Sequence, residues 1–589
     1  MKQFWNIVLG SFVGVWIALM LFSIISFFMS FAFMGAMSML GKTSSASITD
    51  NSVLKLDLNC IVNERYTEDD FMSIFLDSET STVGLDEILL AIDAAKDDER
   101  IKGIYIECNG ISAGTASLYE IRNALTNFKN ESGKFIYAYG DNIPQADYYL
   151  ASVADSIFVN TIGSIDLRGL AVSIPFYKNL LDKIGVEMQI VRVGTFKSAV
   201  EPYILTEISE ANKLQYETFI SSIWGNMVND ISNSRGIEPT RLNEMTDSIV
   251  FLQETKYLLA NNLVDAACYK HEFDDRLKLA VLGDTETEIN FVSPTDVANA
   301  QKASNGNGNI AIVYAVGEIY DSGDDGINSA ELSKTILEIA NDDDVDGVVL
   351  RVNSPGGSAY GSEQIWDALQ KVKDAGKPLA VSMGDMAASG GYYISCGADR
   401  IFAEPLTLTG SIGVFGMIPC IKELYEEKLG INQSVVKTNS NSEFPMLTER
   451  MTPAQQASMQ RMVNNTYELF VSRCAEGRNM PSDSIKAIAE GRVWDGISAK
   501  NIGLVDEFGN LEDATKWVAE QAGIDDDYNI IIAPEQKDFF TKYISKHISQ
   551  SIEGKLQEEM GPMYQYRNAI KHITSRDQIL CLTPEVVIK

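Results

Sequence analysis

Histidine is scarce in this sequence, and so are the cysteine patterns that bind metals or carry redox chemistry. Only three histidines occur in 589 residues, and two of them, His547 and His572, lie near the C-terminus. A Ser-His-Asp triad or a histidine-rich metal site is therefore poorly supported. The seven cysteines include no CxxC spacing and their number is odd, which argues against a zinc site and a complete disulfide framework. The sequence gives no indication of a metal or cofactor.

Basic residues are also few, with 48 Lys and Arg against 81 Asp and Glu and a formal net charge of -33. Nucleic acids and anionic lipid headgroups both require a basic surface, so neither is expected as the main partner. Hydrophobic residues make up 45% of the chain, and its length is sufficient for two or more domains.

Charge is absent altogether between Lys2 and Lys42. The apolar run from Phe4 to Leu40 exceeds the roughly 20 residues that span a bilayer. It is also longer than the apolar core of a cleaved signal peptide, which has about 7–15 residues. We therefore predict an uncleaved, single-pass transmembrane helix within residues 1–46. No second run of comparable length follows, so the rest of the chain is predicted to lie on one side of the membrane.

The remaining chain contains one pattern twice, at a spacing of about 244 residues, far longer than a solenoid unit. The aligned segments are 101–110 with 345–354, 133–141 with 376–385, 147–158 with 391–402, 162–169 with 409–416, and 261–265 with 502–506. The polar, Gly- and Asn-rich stretch 300–309 is typical of a linker. We predict a first repeat over 47–305, a second over 306–534, and a C-terminal tail over 535–589 without a counterpart.

Each repeat alternates short apolar strands with helices of roughly 12–16 residues, as is typical of α/β domains with parallel strands. One such helix is predicted from Ser362 to Lys373. Two longer helices have clear start signals. Ser209 precedes one of them, and Thr452-Pro453-Ala454-Gln455 forms a capping box with proline at the first helical position of the other.

The repeats differ at the first segment where chemistry is expected. The second has Asn-Ser-Pro-Gly-Gly-Ser at 353–358, and the first has Asn-Gly-Ile-Ser-Ala-Gly at 109–114. A glycine pair between a strand and a helix lets backbone N–H groups approach a ligand, next to the positive end of the helix dipole. The segment therefore fits an oxyanion hole, although on its own it is more typical of a plain tight turn.

A candidate nucleophile lies further along the second repeat, in Ala-Ala-Ser-Gly-Gly-Tyr at 387–392. Ser389 is flanked by small residues at a predicted strand-to-helix turn, which leaves its hydroxyl sterically open. The aligned residue of the first repeat is Gln145, which cannot be a nucleophile. By itself Ser389 would be interpreted as a helix cap, but together with the glycine pair it is better interpreted as a nucleophile.

A serine nucleophile needs a base, and no histidine lies in these segments. The first repeat contains Lys197 within 194–202, and the corresponding part of the second repeat, near 440–444, has no lysine. One repeat thus keeps the serine and the other keeps the lysine, which favours a single composite site. A lysine can act as a base only if burial lowers its pKa by several units.

These motifs resemble the signal peptide peptidase A (protease IV) family. The resemblance rests on 384–392, 408–413, 197–202, and the pair 491–494 and 503–506, and it extends from the N-terminus to about residue 520. The sequence is similar to the long, internally duplicated form. The resemblance implies two tandem Clp protease/crotonase-like α/β domains after an N-terminal transmembrane helix.

The same resemblance implies a function and roles for individual residues. Ser389 is expected to be the nucleophile, Lys197 the general base, and Ser411 the residue that orients the lysine. Backbone N–H groups around Gly356, Gly357 and Gly390 are expected to hold the oxyanion; these three glycines complete the predicted site.

The expected activity is cleavage of signal peptides and other extended apolar peptides on the extracytoplasmic (periplasmic) side of the inner membrane, with the bilayer contacted through the anchor. A homotetrameric ring is expected, because duplicated units of this kind close on themselves.

Two other functions remain open at this point. A crotonase-like acyl-CoA enzyme would share the fold and the oxyanion turn, but Ser389 and Lys197 would have no role in it. A non-catalytic membrane scaffold is the second alternative, because the first repeat is already partly degenerate. An active-site serine probe would separate both from a peptidase.

Overall fold

The computed structural model describes Met20 and Gly306 together with residues 47–65, 81–301, 308–323, 326–524, 528–534 and 579–582. Apart from Met20, the predicted anchor lies outside the described residues, so it stays a prediction. Among the helices in the described ranges, none is long and apolar enough to cross a bilayer.

A parallel sheet forms the centre of the first repeat. The strands described in this repeat are β1 (Ser52–Asp57), β2 (Cys60–Asn63), β3 (Ser81–Gly84), β4 (Ile101–Glu107), β5 (Phe135–Ile143), β6 (Ser156–Ile165), β7 (Glu187–Val193), β8 (Ala266–Ala267) and β9 (Asn290–Val292). Six of them form the sheet, in the order β8-β6-β5-β4-β1-β9, and every pairing is parallel. Most residues of strand β4 are buried because helices cover both faces of such a sheet.

Helices connect these strands and surround the sheet. The helices described in the first repeat are α1 (Leu85–Asp97), α2 (Thr115–Ser132), α3 (Gln145–Ala151), α4 (Lys178–Ile184), α5 (Glu201–Ile204), α6 (Glu210–Arg235), α7 (Pro239–Asp247), α8 (Thr255–Ala260), α9 (Lys270–Leu282) and α10 (Pro294–Ala300). The predicted cap of α6 is confirmed, since the Ser209 side chain accepts a hydrogen bond from the Asn212 N–H.

The second repeat builds a similar sheet. Its strands are β10 (Asn309–Val316), β11 (Ile319–Tyr320), β12 (Ile327–Asn328), β13 (Gly347–Ser354), β14 (Gly356–Ser358), β15 (Leu379–Ala388), β16 (Arg400–Ala403), β17 (Leu408–Gly410), β18 (Val414–Cys420), β19 (Val493–Asp495), β20 (Glu507–Phe508) and β21 (Asn529–Ala533). The sheet order is β19-β17-β15-β13-β10-β21, with β16 beside β15 and β20 beside β16. The first sheet ends at Val292 and the second begins at Asn309, on either side of the predicted linker.

The helices described in the second repeat are α11 (Ser329–Ala340), α12 (Ala359–Asp374), α13 (Gly390–Ser395), α14 (Pro453–Gly477), α15 (Ser482–Ile488), α16 (Gly496–Asn501) and α17 (Leu511–Ala522). The capping box predicted before α14 is confirmed, with reciprocal bonds between Thr452 and Gln455. The duplication extends to individual contacts: Asp265 accepts from the Ile157 N–H of β6, and Asp506 accepts from the Ile401 N–H of β16.

A third sheet combines three distant parts of the chain. Its order is β12-β11-β14-β22-β18-β7, where β22 (Ile579–Leu582) belongs to the C-terminal tail. Strand β7 of the first repeat pairs antiparallel with β18 of the second, from Glu187 opposite Cys420 to Val193 opposite Val414. The loop that follows β7 is thereby brought to the second repeat.

Buried charged side chains join the two repeats. Arg351 on β13 is 1% exposed, and its guanidinium donates to Glu64 at 2.7 Å and to Glu120 at 2.8 Å. Ser117 donates to Asp385 through its N–H at 2.9 Å and its hydroxyl at 2.8 Å. Because a buried charge that loses its partner is strongly destabilising, these contacts favour one relative orientation of the repeats.

Candidate active site

Ser389 occupies a sharp turn between β15 and α13. Its backbone has φ 57° and ψ -113°, a conformation that residues other than glycine rarely adopt. Such backbone strain is found preferentially at functional sites, and a nucleophile at a strand-to-helix turn is held in this way. The Ser389 side chain makes no capping bond to α13, so the helix-cap interpretation is not what the structure has.

The glycines after Ser389 are required by close packing. A Cβ on Gly390 would lie 2.7 Å from the Ser362 hydroxyl, and one on Gly391 would lie 2.7 Å from the Ser354 carbonyl oxygen. Real Cβ atoms do not approach other atoms this closely, so any side chain at 390 or 391 would displace the turn that carries Ser389.

Lys197 meets Ser389 within the same chain. Its Nζ lies 2.6 Å from the Ser389 Oγ, although the two residues are 192 positions apart. The same Nζ donates to the Ser411 carbonyl oxygen at 3.0 Å and to the Ser411 Oγ at 3.1 Å. The structure therefore brings together all three side chains that sequence reasoning selected.

Burial determines the charge state of Lys197. The side chain is fully buried, and this burial lowers the pKa of the amine to about 7. Its aliphatic stem packs against glycines: a Cβ on Gly413 would be 3.2 Å from the lysine Cδ, and one on Gly491 only 2.7 Å from the lysine Cβ. Gly491 has φ 74°, which glycine adopts without cost.

The loop that carries Lys197 is fixed by residues that sequence reasoning did not select. Glu490 accepts hydrogen bonds from the Thr195 N–H and hydroxyl, both at 2.9 Å. Gln215 on α6 donates to Ser198 at 3.0 Å and accepts from the Val493 N–H at 3.1 Å. The motif at 491–494 was visible in the sequence, and the structure explains it as the support of the lysine loop.

The Pro-Gly-Gly segment forms part of a paired strand and is not only a tight turn. Gly356 and Gly357 have φ 102° and 151° and begin the short strand β14, which pairs with β11 on one side and β22 on the other. A Cβ on Gly356 would lie 2.6 Å from the Gly390 N, and one on Gly390 would lie 3.1 Å from the Gly357 N. The three glycines predicted to bind the oxyanion are thus grouped directly beside Ser389.

Comparison with known proteins identifies the family of the chain. The family model described as peptidase family S49 matches residues 128–281 and again 371–525, and the Clp protease model matches 314–406. The chain belongs to peptidase family S49. Two matches to one model confirm the internal duplication, and the Clp match supports the Clp-like α/β fold of the second repeat.

Relatives of this S49 peptidase are proteases. Protease 4 of Salmonella typhi is 34% identical over 545 residues, covering 89% of this chain and 87% of the relative. Protease 4 of Haemophilus influenzae is 35% identical and covers 73% and 71%. A protein named putative signal peptide peptidase SppA, from Enterococcus faecium, is 33% identical and covers 40% and 70%. The S49 peptidase described here is accordingly a serine protease, and neither the acyl-CoA enzyme nor the scaffold is needed to explain it.

Proposed function

We propose that this S49 peptidase is an endopeptidase with a Ser-Lys dyad, in which Ser389 is the nucleophile and Lys197 the general base. The observation that carries the proposal is the 2.6 Å separation between Lys197 Nζ and Ser389 Oγ at a fully buried site. A lysine with its ordinary pKa would be protonated at neutral pH and could not accept a proton. Burial lowers the pKa of Lys197 to about 7, so a large fraction of the amine is neutral under physiological conditions.

The reaction begins when the neutral amine takes the hydroxyl proton as Ser389 Oγ attacks the carbonyl carbon of the peptide. The protonated amine then donates that proton to the leaving nitrogen, and water releases the acyl group in a second step. Ser411 holds the Lys197 amine from two directions throughout this cycle, through its carbonyl oxygen and its hydroxyl.

Negative charge on the carbonyl oxygen is stabilised by backbone amides in this proposal. The Gly356 N–H already donates to the Ser354 hydroxyl at 3.2 Å, so the better pair is the Gly357 and Gly390 N–H groups. Amides fixed by a strand and by the first turn of a helix need no reorganisation when the charge develops.

The proposed substrates are signal peptides and other extended apolar peptides. The name of the Enterococcus faecium relative supports this class, and so do the apolar side chains of β18 beside the site. The uncharged N-terminal run supports a single-pass inner-membrane protein, and the family resemblance supports a catalytic region on the periplasmic side. In a protease-protection experiment on spheroplasts, the catalytic region should be digested without permeabilisation; shielding would contradict this topology.

The proposed assembly is a homotetramer, in which a closed ring admits extended peptides and excludes folded proteins. Light scattering on the detergent-solubilised protein measures the mass directly. A monomer at all concentrations would contradict the ring without affecting the proposed chemistry.

The chemistry is tested by covalent labelling with a serine-reactive probe, followed by peptide mapping. A single labelled site at Ser389 is expected, and the labelling should be lost in Ser389→Ala and reduced in Lys197→Ala. Labelling of Ser411 instead, or unchanged labelling of Ser389→Ala, would contradict the assignment.

A further inference from the structure

An aspartate of the second repeat caps a helix of the first repeat. Helix α2 begins after Gly114, which has no side chain that could cap it. The Ser117 N–H and hydroxyl instead donate to the Asp385 carboxylate on β15, at 2.9 Å and 2.8 Å. A Cβ on Gly114 would lie 2.1, 2.2 and 2.4 Å from the three atoms of this carboxyl group, so glycine leaves room for the aspartate. The N-terminus of α2 is therefore bound to the strand that leads into Ser389.

The second repeat caps the equivalent helix, α12, with a residue of its own. Ser358 is aligned with Gly114, and its side chain accepts a hydrogen bond from the Gly361 N–H at 3.0 Å. Gly114 has φ -73° and ψ 167°, an extended conformation that serine adopts as readily at a helix N-cap. A serine at position 114 would therefore be able to cap α2 from within its own repeat. The cap from Asp385 does more than complete the helix, since it also joins the two repeats.

Asn353 connects Asp385 to the start of the Pro-Gly-Gly segment. Its Nδ2 donates to Asp385 at 3.3 Å and to Glu64 of the first repeat at 2.7 Å. Its Oδ1 accepts from the Met386 N–H at 3.1 Å. The register between β13 and β15 shifts at this residue, and the side-chain bond to Met386 takes the place of main-chain pairing there. The first repeat is thus held at the point where both strands lead into the site.

The distance between the proposed base and nucleophile depends on how the two repeats are placed. The pairing of β7 with β18 attaches the loop of Lys197 to the second repeat, and the bonds between Ser117 and Asp385 attach the first repeat to the strand of Ser389. Lys197 Nζ and Ser389 Oγ are 2.6 Å apart, and hydrogen bonds weaken beyond about 3.2 Å. A displacement of about 1 Å is enough to lower a rate by about 10²-fold.

We propose that Asp385 is a positioning residue of the reaction, which holds the strand of Ser389 against the repeat that carries Lys197 by capping α2. Its carboxylate contacts Ser117 and Asn353 and acts on the reacting atoms only through the placement of the two repeats. The proposal rests on the proposed function, because the two groups that it positions are the members of the dyad.

The first comparison uses Asp385→Ala and Asp385→Asn, with Asp141→Ala as the matched control. Asp141 is aligned with Asp385 but accepts hydrogen bonds from Tyr139 and Asn160 of its own repeat. In the hydrolysis of an apolar fluorogenic peptide, Asp385→Ala should lower kcat by about 10²-fold and change KM little. Asp385→Asn keeps an acceptor for the α2 N-terminus and should retain most of the activity. Asp141→Ala should have the kcat of the wild type.

The decisive variant restores the helix cap without restoring the link between the repeats. Gly114→Ser combined with Asp385→Ala places a serine where Ser358 stands in the second repeat, and the carboxyl atoms nearest to its Cβ are removed. The melting temperature should return toward that of the wild type, because α2 is capped again. The kcat should stay about 10²-fold low, because nothing replaces the contact with β15.

Recovery of kcat in the double variant would overturn the proposal, because Asp385 would then serve only as a cap. A wild-type kcat in Asp385→Ala would overturn it as well. If these chains do not fold, Ser117→Ala removes the hydroxyl bond alone; its kcat should fall, and an unchanged kcat would overturn the proposal.

Failure of the proposed function would be seen separately, in Lys197→Ala measured in the same assay. Near-normal hydrolysis by that variant would contradict the dyad itself, whatever the Asp385 variants do.

Discussion

Both repeats have a loop after a central strand, at 109–114 and at 353–358, but different groups lie against the backbone amides of the two loops. In the first repeat the Asp147 carboxylate accepts hydrogen bonds from the Gly110 and Ile111 N–H groups, both at 2.9 Å. The aligned residue of the second repeat is Gly391, which has no side chain. In the second repeat the corresponding region is formed by the glycines of β14 and α13. The main-chain carbonyl of Cys581 lies beside these glycines.

This difference indicates how a duplicated fold arrived at one site per chain. The loop persists in both repeats, and successive backbone N–H groups in a loop of this kind attract negative charge whatever its source. In the first repeat the Asp147 side chain accepts hydrogen bonds from those amides. That repeat contributes β7 and the loop that follows it, which place Lys197 beside Ser389, the proposed nucleophile on the other repeat.

The largest effect is expected from removing either member of the proposed dyad, Lys197 of the first repeat or Ser389 of the second. Lys197→Ala and Ser389→Ala should each lower kcat by at least about 10⁴-fold, because members of a catalytic group act as a unit. Lys197→Arg should be equally inactive, since arginine remains protonated at any working pH. Hydrolysis of an apolar fluorogenic peptide measures this loss. Lys213→Ala, which removes an exposed lysine of the same repeat, is the matched control and should retain activity.

Near-normal activity of Lys197→Ala would mean that the second repeat is catalytically complete by itself. The difference between the repeats would then reflect decay of the first and not a division of labour.

The next largest effect is expected when Gly391 of the second repeat is replaced by aspartate, the residue found at the aligned position 147 of the first repeat. Gly391→Asp would place a Cβ 2.7 Å from the Ser354 carbonyl oxygen and direct a carboxylate toward the amides of the site. We expect activity to fall by about 10²–10³-fold, the usual effect of losing an oxyanion-hole donor. Gly225→Asp is the control, since a Cβ at Gly225 would meet nothing within 4 Å. A Gly391→Asp enzyme that is folded and fully active would exclude this loop from catalysis.

Much of the fold and of the candidate site could be predicted from the sequence, because the two repeats can be aligned with each other and compared position by position. The strand and helix alternation, the caps at Ser209 and Thr452, and the pairing of Ser389 with Lys197 all derive from local patterns or from their divergence. The Ser389 segment alone is more typical of a helix cap, and it was the glycine pair at 356–357 that favoured a nucleophile.

Contacts between distant segments could not be predicted in this way. Arg351 and Glu64 are 287 positions apart, and neither lies in a recognisable motif. The Pro-Gly-Gly segment was interpreted as an oxyanion turn, but its pairing with β22 depends on four tail residues that have no counterpart in the first repeat. Isolated apolar residues carry no information about which strand they will join.

A smaller effect concerns the pH dependence of the composite site. Burial lowers the pKa of Lys197 to about 7, and the proposed mechanism requires the neutral amine. Below pH 7 the rate should therefore fall about tenfold per pH unit, and above it the rate should reach a plateau. The pH profile of kcat/KM for the free enzyme measures this limb. Replacing the three histidines together should leave it in place; a limb that moved with those substitutions would assign it to histidine.

The smallest effect on activity, and the clearest on stability, is expected at Asp147 in the first repeat. Asp147→Ala leaves the buried Ile111 N–H and the part-buried Gly110 N–H without their acceptor, which costs about 1–3 kcal/mol of unfolding free energy. Because the proposed mechanism gives this loop no part in the reaction, kcat should be unchanged. Thermal unfolding and peptide hydrolysis on the same preparations separate the two effects. A fall in kcat without a loss of stability would mean that the loop of the first repeat takes part in catalysis after all.

The ionisation of Asp147 provides a further check on the same residue. Burial raises its pKa to about 6, and the bonds from Ile111 and Gly110 act in the opposite direction. The folded protein therefore binds a proton between about pH 4 and pH 6 that the unfolded chain has released. This contribution to stability is complete below pH 4 and is lost as the pH rises through 6. Asp147→Asn cannot titrate, so its unfolding free energy relative to the wild type should increase across this interval. A constant difference between the two proteins from pH 4 to pH 7 would mean that Asp147 is ionised throughout, held by the two amides as a permanent anion.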